Sequence, residues 1–303
     1  MVYLKKSRKT NPYLWILPSF ICMSIIQFFP GILSIFMSFT KLDVSYVRRP
    51  FEAPFAGLGN YSRILQPGTS LGNSFLTSLM ITIGFTLAST ILGYLIGLLE
   101  AMLLNQPFKG RAVVRAVFLI PWIVPTIVSA FCWRMIFLRD FGILNKLLLS
   151  LHIIDEPIFW MIGSNAFLVI VVARVWASCP FIMISILAAL QTIPTEQYEA
   201  AKVDGASAWQ QFRYITMPGI SAVSKVVILL QFIWGSGEFT IPYAIFNQTP
   251  PKEANLISVL VYSNTFSTWD FGGGAAVSTI VLSIMLVLSV FYMRAAMRPS
   301  TDD

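Results

Sequence analysis

Two ionisable side chains, Arg174 and Glu238, fall inside long apolar runs. Trp176 lies two residues after the arginine, and Gln231 and Trp234 share the stretch QFIWGSGEF with the glutamate. Charge in apolar surroundings is expensive and points to function by default. The chemistry this set offers is recognition rather than reaction. Guanidinium, carboxylate and amide exchange hydrogen bonds with hydroxyl groups, and an indole presents a flat apolar face to the C–H side of a sugar ring. Two readings are open for Arg174 and Glu238: groups lining a solute path, or an ion pair internal to a helical bundle. For Trp234, plain helix packing stands beside stacking on a solute. Gly235 and Gly237 each weaken a helix by about 1 kcal/mol relative to alanine and permit an opening or a close approach there.

Residues for bond-making chemistry do not cluster. His152 is the single histidine, and no HExxH occurs. Cys22, Cys132 and Cys179 lie in apolar stretches without CxxC spacing, which reads as buried thiols rather than a zinc site or disulfide framework. No phosphate-cradling GxxxxGK[ST] occurs either. The chain is expected to be neither an enzyme nor a metalloprotein, with no catalytic residue, no metal and no cofactor of its own.

The elements that must position the polar residues are membrane spans. Of 303 residues, 12% are charged and 56% hydrophobic, against roughly 25% charged in soluble domains. Six continuous apolar runs are predicted to cross the bilayer as helices: residues 13–39, 75–99, 116–138, 167–190, 222–245 and 274–293. Continuous rather than alternating apolarity excludes a barrel. The basic start KKSRK leads into a run too long for a cleavable leader, so the first run is read as a permanent span. Pro18, Pro30, Pro121, Pro125, Pro180 and Pro242 punctuate the spans, either as packing irregularities or as bends around a path.

Basic residues give the orientation. With the N-terminus inside, twelve of the 21 Lys and Arg fall on the inner side and seven on the outer, with Arg134 and Arg174 inside spans. The expectation is both termini cytoplasmic, with tails at 1–12 and 299–303 around a transmembrane region at 13–298. The basic residues sit at span ends rather than on one soluble face, which argues against nucleic-acid binding.

Between the fourth and fifth runs, residues 191–219 form a polar insert placed in the cytoplasm by the same count. It reads as two short helices. Thr195 is the expected N-cap of the first, and Gly205 its C-terminal stop with positive φ. Ser207 and Gln210 make a capping box for the second. Trp209, Phe212 and Ile215 give that helix an apolar face, and Pro218 is expected to end it before the fifth span. Ala200 and Ala201 make one face thin, suited to a groove that this chain does not supply. On spacing alone, a hairpin that merely joins two spans is equally available.

Glu199-Ala200-Ala201, three residues, Gly205, nine residues, then Ile215-Thr216-Met217-Pro218 resembles the EAA motif (EAA-x3-G-x9-I-x-L-P) of permease subunits of bacterial ATP-binding-cassette importers, with Met217 in place of leucine. FLIPWIVPTIV in the third span and WDFGGGAAVS before the sixth extend the resemblance to sugar-importer permeases of the MalF/UgpA type. NQTPPKEAN, where a glycine-rich stretch is usual, departs from it.

The resemblance implies an all-α polytopic membrane protein of the MetI-like permease fold, with six transmembrane helices and a cytoplasmic helix–turn–helix coupling loop. It implies that Glu199, Ala200, Ala201, Asp204, Gly205, Ile215 and Pro218 dock in a cytoplasmic ATPase. Its implied partners are two ATPase copies that carry ATP and Mg, a second permease of the MalG/UgpE type and an extracytoplasmic solute-binding protein, all at a bacterial cytoplasmic membrane. Arg174, Trp176, Gln231, Trp234 and Glu238 are the candidate path residues for a sugar or small oligosaccharide. Glycerol-3-phosphate or a polyol is the alternative cargo. An ion-coupled secondary transporter is the alternative class, disfavoured by the lack of an internal repeat.

Overall fold

The computed structural model of the protein describes residues 13–66 and 68–296. The expected tails, with Lys5, Lys6, Arg8 and Lys9, and Arg298 at the end of the expected transmembrane region lie outside the described residues. What is described is helical, apart from one isolated bridge between Thr40 and Phe55. In chain order the helices are α1 (Trp15–Ser38), a short α2 (Gly59–Leu65), α3 (Leu71–Asn105), α4 (Arg111–Ile123), α5 (Thr126–Ile136), a short α6 (Ile143–Ser150), α7 (Ser164–Leu190), α8 (Thr195–Val203), α9 (Ala208–Ser236), the short α10 (Thr240–Ile245) and α11 (Ile257–Tyr262), and α12 (Phe271–Ala296). Five of them are long and apolar enough to cross a membrane, and α4 with α5 passes the same test as one bent pair.

Three expectations are corrected. The third run is not one straight span: α4 and α5 meet at 96°. Pro125 disfavours helical backbone in the residue before it, and Val124 is extended with ψ 128°. The fifth span does not begin after Pro218. Instead α9 runs through Pro218 from Ala208 and stops at Ser236, so residues 240–245 form a separate helix. A wide π-type turn at Phe212–Thr216 precedes Pro218, and another at Ser24–Phe28 precedes Pro30. Loosening the ladder there accommodates a proline that lacks an N–H and crowds the carbonyl behind it. Thr195 is not an N-cap. Pro194, with ψ 132°, holds that position and Thr195 is the first helical residue.

The described residues divide into two compact units, one within 13–69 with 261–281 and the other within 70–260 with 282–296. In the first, Asn60 donates its amide to the carbonyls of Ser38 and Thr40 at 2.9 and 2.8 Å, and Arg63 pairs with Asp270 at 2.6 Å. Gly272 donates its N–H to Leu42 O, and any Cβ there would lie 2.3 Å from Thr40 O, so only glycine fits.

The second unit is built on α3 against α7. A Cβ at Gly97 would lie 2.7 Å from Ile182 Cβ, and one at Gly93 would lie 3.0 Å from Ser178 Oγ. Small residues four apart let the two backbones approach closely, as helices do in membranes. Around that contact lie Leu98, Ala101, Ile182, Met183 and Ile186, all buried. Tyr94 adds α9 to the pair by donating to Ser224 Oγ at 2.7 Å.

Candidate functional site

Two sites emerge in the second unit, joined by one helix. The first lies at the break between α4 and α5. Because α5 turns away from α4, a cavity of about 160 Å³ opens beside α7 and α9. Its wall combines Arg174, Gln231, Ser129 and Thr126 with the aromatic rings of Trp122 and Trp234. Phe181 stands between those two indoles, edge-on to Trp122 at 5.9 Å and to Trp234 at 5.0 Å.

Arg174 is held by two groups. Its Nη1 lies 3.3 Å from Glu238 Oε2 and its Nη2 donates to Gln231 Oε1 at 3.4 Å. The pair is largely removed from solvent, the side chains being 14% and 9% exposed. Glu238 has other duties. Its Oε1 accepts the N–H of Ile241 at 3.1 Å, satisfying an otherwise free donor of the first turn of α10, and its backbone carbonyl accepts from Ser258 Oγ. The glycines fit both expected uses. Gly237 is where α9 ends, and at Gly235 a Cβ would lie 3.3 Å from Thr86 Cγ2, a close approach to α3.

The structure thus brings Arg174, Gln231 and Trp234 to one cavity, with Glu238 paired to the arginine and not among the described residues of its wall. It does not bring Trp176 there. Two residues on along a helix is about 200° of rotation, and Trp176 faces Trp133 at 5.9 Å in a second, mostly apolar cavity of about 500 Å³ that also includes Glu100. Sequence reasoning missed Trp122, Phe181, Thr126 and Ser129. The signal for Trp122 was the spacing Pro121-Trp-Ile-Val-Pro125, which forces a break and leaves the intervening side chains at its edge.

The second site is the insert. α8 ends in a Schellman motif. Gly205 has φ +78°, Ala206 N–H donates to Ala201 O, and Gly205 N–H donates to Lys202 O. Ser207 and Gln210 form the complete reciprocal capping box of α9. Tyr198 OH and Thr216 Oγ1, 2.9 Å apart, tie α8 to α9, and Gln211 donates to Ala206 O across the turn. The hairpin is therefore cross-braced. Glu199, Ala200, Asp204, Gly205 and Pro218 are exposed, while Ala201 and Ile215 are half-buried. Val203 is 89% exposed and Trp209 69%, with Tyr214 beside them in exposure. Large apolar groups left bare on a polar hairpin mark an interaction surface.

Comparison with known proteins follows the same outline. The family of binding-protein-dependent transport system inner membrane components matches over residues 89–302. The trehalose/maltose transport system permease protein MalF of Thermococcus litoralis is 35% identical over 284 residues, 93% of this chain and 92% of the relative. The arabinooligosaccharides transport system permease protein AraP of Halalkalibacterium halodurans is 30% identical over 94% of this chain and 87% of its own length. Among solved structures, a bacterial ABC transporter involved in the import of the acidic polysaccharide alginate superposes with a TM-score of 0.77 over 96% of both chains at 20% identity, a likeness of fold.

Proposed function

This chain belongs to the family of binding-protein-dependent transport system inner membrane components, and from that premise we propose that it forms half of the translocation path of a sugar importer and couples it to an ATPase through residues 191–219. It is a permease subunit of an ABC importer, not an enzyme, and ATP is hydrolysed on separate subunits. In the proposed complex a second permease of the MalG/UgpE type completes the path. Two copies of a cytoplasmic ATP-binding subunit hold ATP and Mg, this chain binding no cofactor. A solute-binding protein delivers cargo from outside. Both termini and the insert face the cytoplasm, as the distribution of basic residues favours.

One observation carries the coupling: α9 is unbroken from Ala208, in the insert, to Ser236, beside the cavity. That is about 43 Å of helix at 1.5 Å per residue. The motif's Ile215 and Pro218 and the cavity's Gln231 and Trp234 ride on the same rod. A rigid-body displacement of the braced hairpin, driven by closure of the ATPases on ATP, therefore moves the cavity wall. Alternating access follows. ATP binding opens the path outward to the docked binding protein, and hydrolysis resets it.

The cavity supports a saccharide as cargo. Its hydroxyls match Arg174, Gln231, Thr126 and Ser129, and its C–H faces match Trp122 and Trp234. The named substrates of the relatives, trehalose and maltose for one and arabinooligosaccharides for the other, lie in the same class. We test the coupling with Ala201→Trp and Gly205→Pro. Each is expected to reach the membrane at the normal level and to abolish sugar uptake, by blocking the thin face of α8 or by breaking its cap. Normal uptake by both would refute the assignment.

A further inference from the structure

We infer that Glu238 sets the charge selectivity of the path: by neutralising Arg174, it makes the cavity a site for uncharged saccharides and against acidic ones. The inference rests on the reading of that cavity as the solute path.

The geometry separates two layers. Arg174 is the one charged side chain among the described residues of the wall, and Glu238, which is not among them, pairs with it at 3.3 Å. Both carboxylate oxygens are committed, Oε2 to Arg174 and Oε1 to the N–H of Ile241, so Glu238 is anchored to the start of α10 and is not free to turn toward a solute. Gln231 commits its carbonyl oxygen to Arg174 and keeps its amide N–H₂ as a donor. The wall presented to cargo is thus a row of N–H donors on a pair with no net charge. An uncompensated arginine would favour carboxylate or phosphate, which it binds bidentately. With Glu238 beside it, a second anion meets an arginine already paired and a carboxylate that repels it through a water-poor interior. Neutral hydroxyls accept the same donors without that repulsion. Glu238 is accordingly a positioning residue that acts through Arg174.

The test uses the purified complex of this chain with its partner subunits, in nanodiscs and without the binding protein, so that selectivity at the earlier step does not intrude. Binding of maltotriose and of trigalacturonate is titrated by calorimetry. The wild type is expected to prefer maltotriose. Glu238→Gln keeps an oxygen for the Ile241 N–H but leaves Arg174 uncompensated, and the preference should swing by about tenfold or more toward trigalacturonate. Arg174→Gln should exclude trigalacturonate more strongly than the wild type does. The double variant Arg174→Gln, Glu238→Gln removes both charges and should return to the wild-type preference. Where Glu238→Gln fails to assemble but the double variant assembles with neutral preference, charge compensation is again supported, since the defect lies in the lone charge. An unchanged preference in Glu238→Gln, or a double variant that behaves like Glu238→Gln, overturns the inference while leaving the cavity as a sugar site. If the wild type binds neither probe, and Trp234→Ala leaves sugar uptake by whole cells unchanged, the cavity is not the solute path and both readings fall.

Discussion

Gly205 shows how much a single residue can carry. Its φ of +78° closes α8, yet a Cβ there would meet nothing within 4 Å. The demand is therefore purely conformational, and a left-handed conformation costs an L-residue roughly 1–2 kcal/mol. Uptake is expected to fall in the order Gly205, Gly205→Asn, Gly205→Ala, Gly205→Val, because Asn tolerates that region and a β-branched chain does not. Equal transport rates across the series would show that the cap is dispensable. This residue was legible in the sequence, as were Ser207 and Gln210, because caps are local chemistry written within four positions. Arg174 and Glu238 were legible as misplaced charges. That Glu238 pairs with Arg174 and is not among the described residues of the cavity wall was not, because it depends on where α7 meets the link between α9 and α10, 64 residues apart in the chain.

Among the elements, α9 joins the insert to the cavity and is the one most misread from sequence. Pro218 looks like a stop, and the polar insert looks separate from the apolar span that follows. The π-type turn before Pro218 lets one helix serve both. Val226 lies on its exposed face, midway between motif and cavity. Proline at 226 removes a ladder bond and clashes with the preceding turn, at about 3 kcal/mol. Val226→Pro is expected to retain ATPase binding and ATP hydrolysis while uptake falls by tenfold or more (about 1.4 kcal/mol suffices for tenfold), measured as the ratio of sugar imported to ATP consumed. A preserved ratio would show that force reaches the cavity by another route. The tight α3–α7 contact had a sequence signal, Gly93 and Gly97 spaced as GxxxG in an apolar run. The 96° break was signalled by Pro121 and Pro125, but proline spacing gives a break without its angle. The angle depends on what packs against each arm, and Trp122 against Phe181 is part of that packing.

At the scale of the whole molecule, a 12% charged composition together with six continuous apolar runs selects a polytopic helical protein. The family match then places it among the inner membrane components of binding-protein-dependent transport systems. The sequence holds no nucleotide-cradling motif, while the braced hairpin shows Val203, Trp209 and Tyr214 to whatever lies beneath it. The central claim is that residues 191–219 receive force from an ATPase. It is tested most directly by tagging this chain, solubilising it gently and quantifying by mass spectrometry what copurifies, with the wild type compared against a Glu199→Arg, Gly205→Pro variant. Coupling through the hairpin predicts an ATP-binding subunit and a second permease with the wild type, and loss of the ATP-binding subunit alone from the variant. A chain that emerges without an ATPase under several detergents, or a variant that retains it fully, would contradict the account.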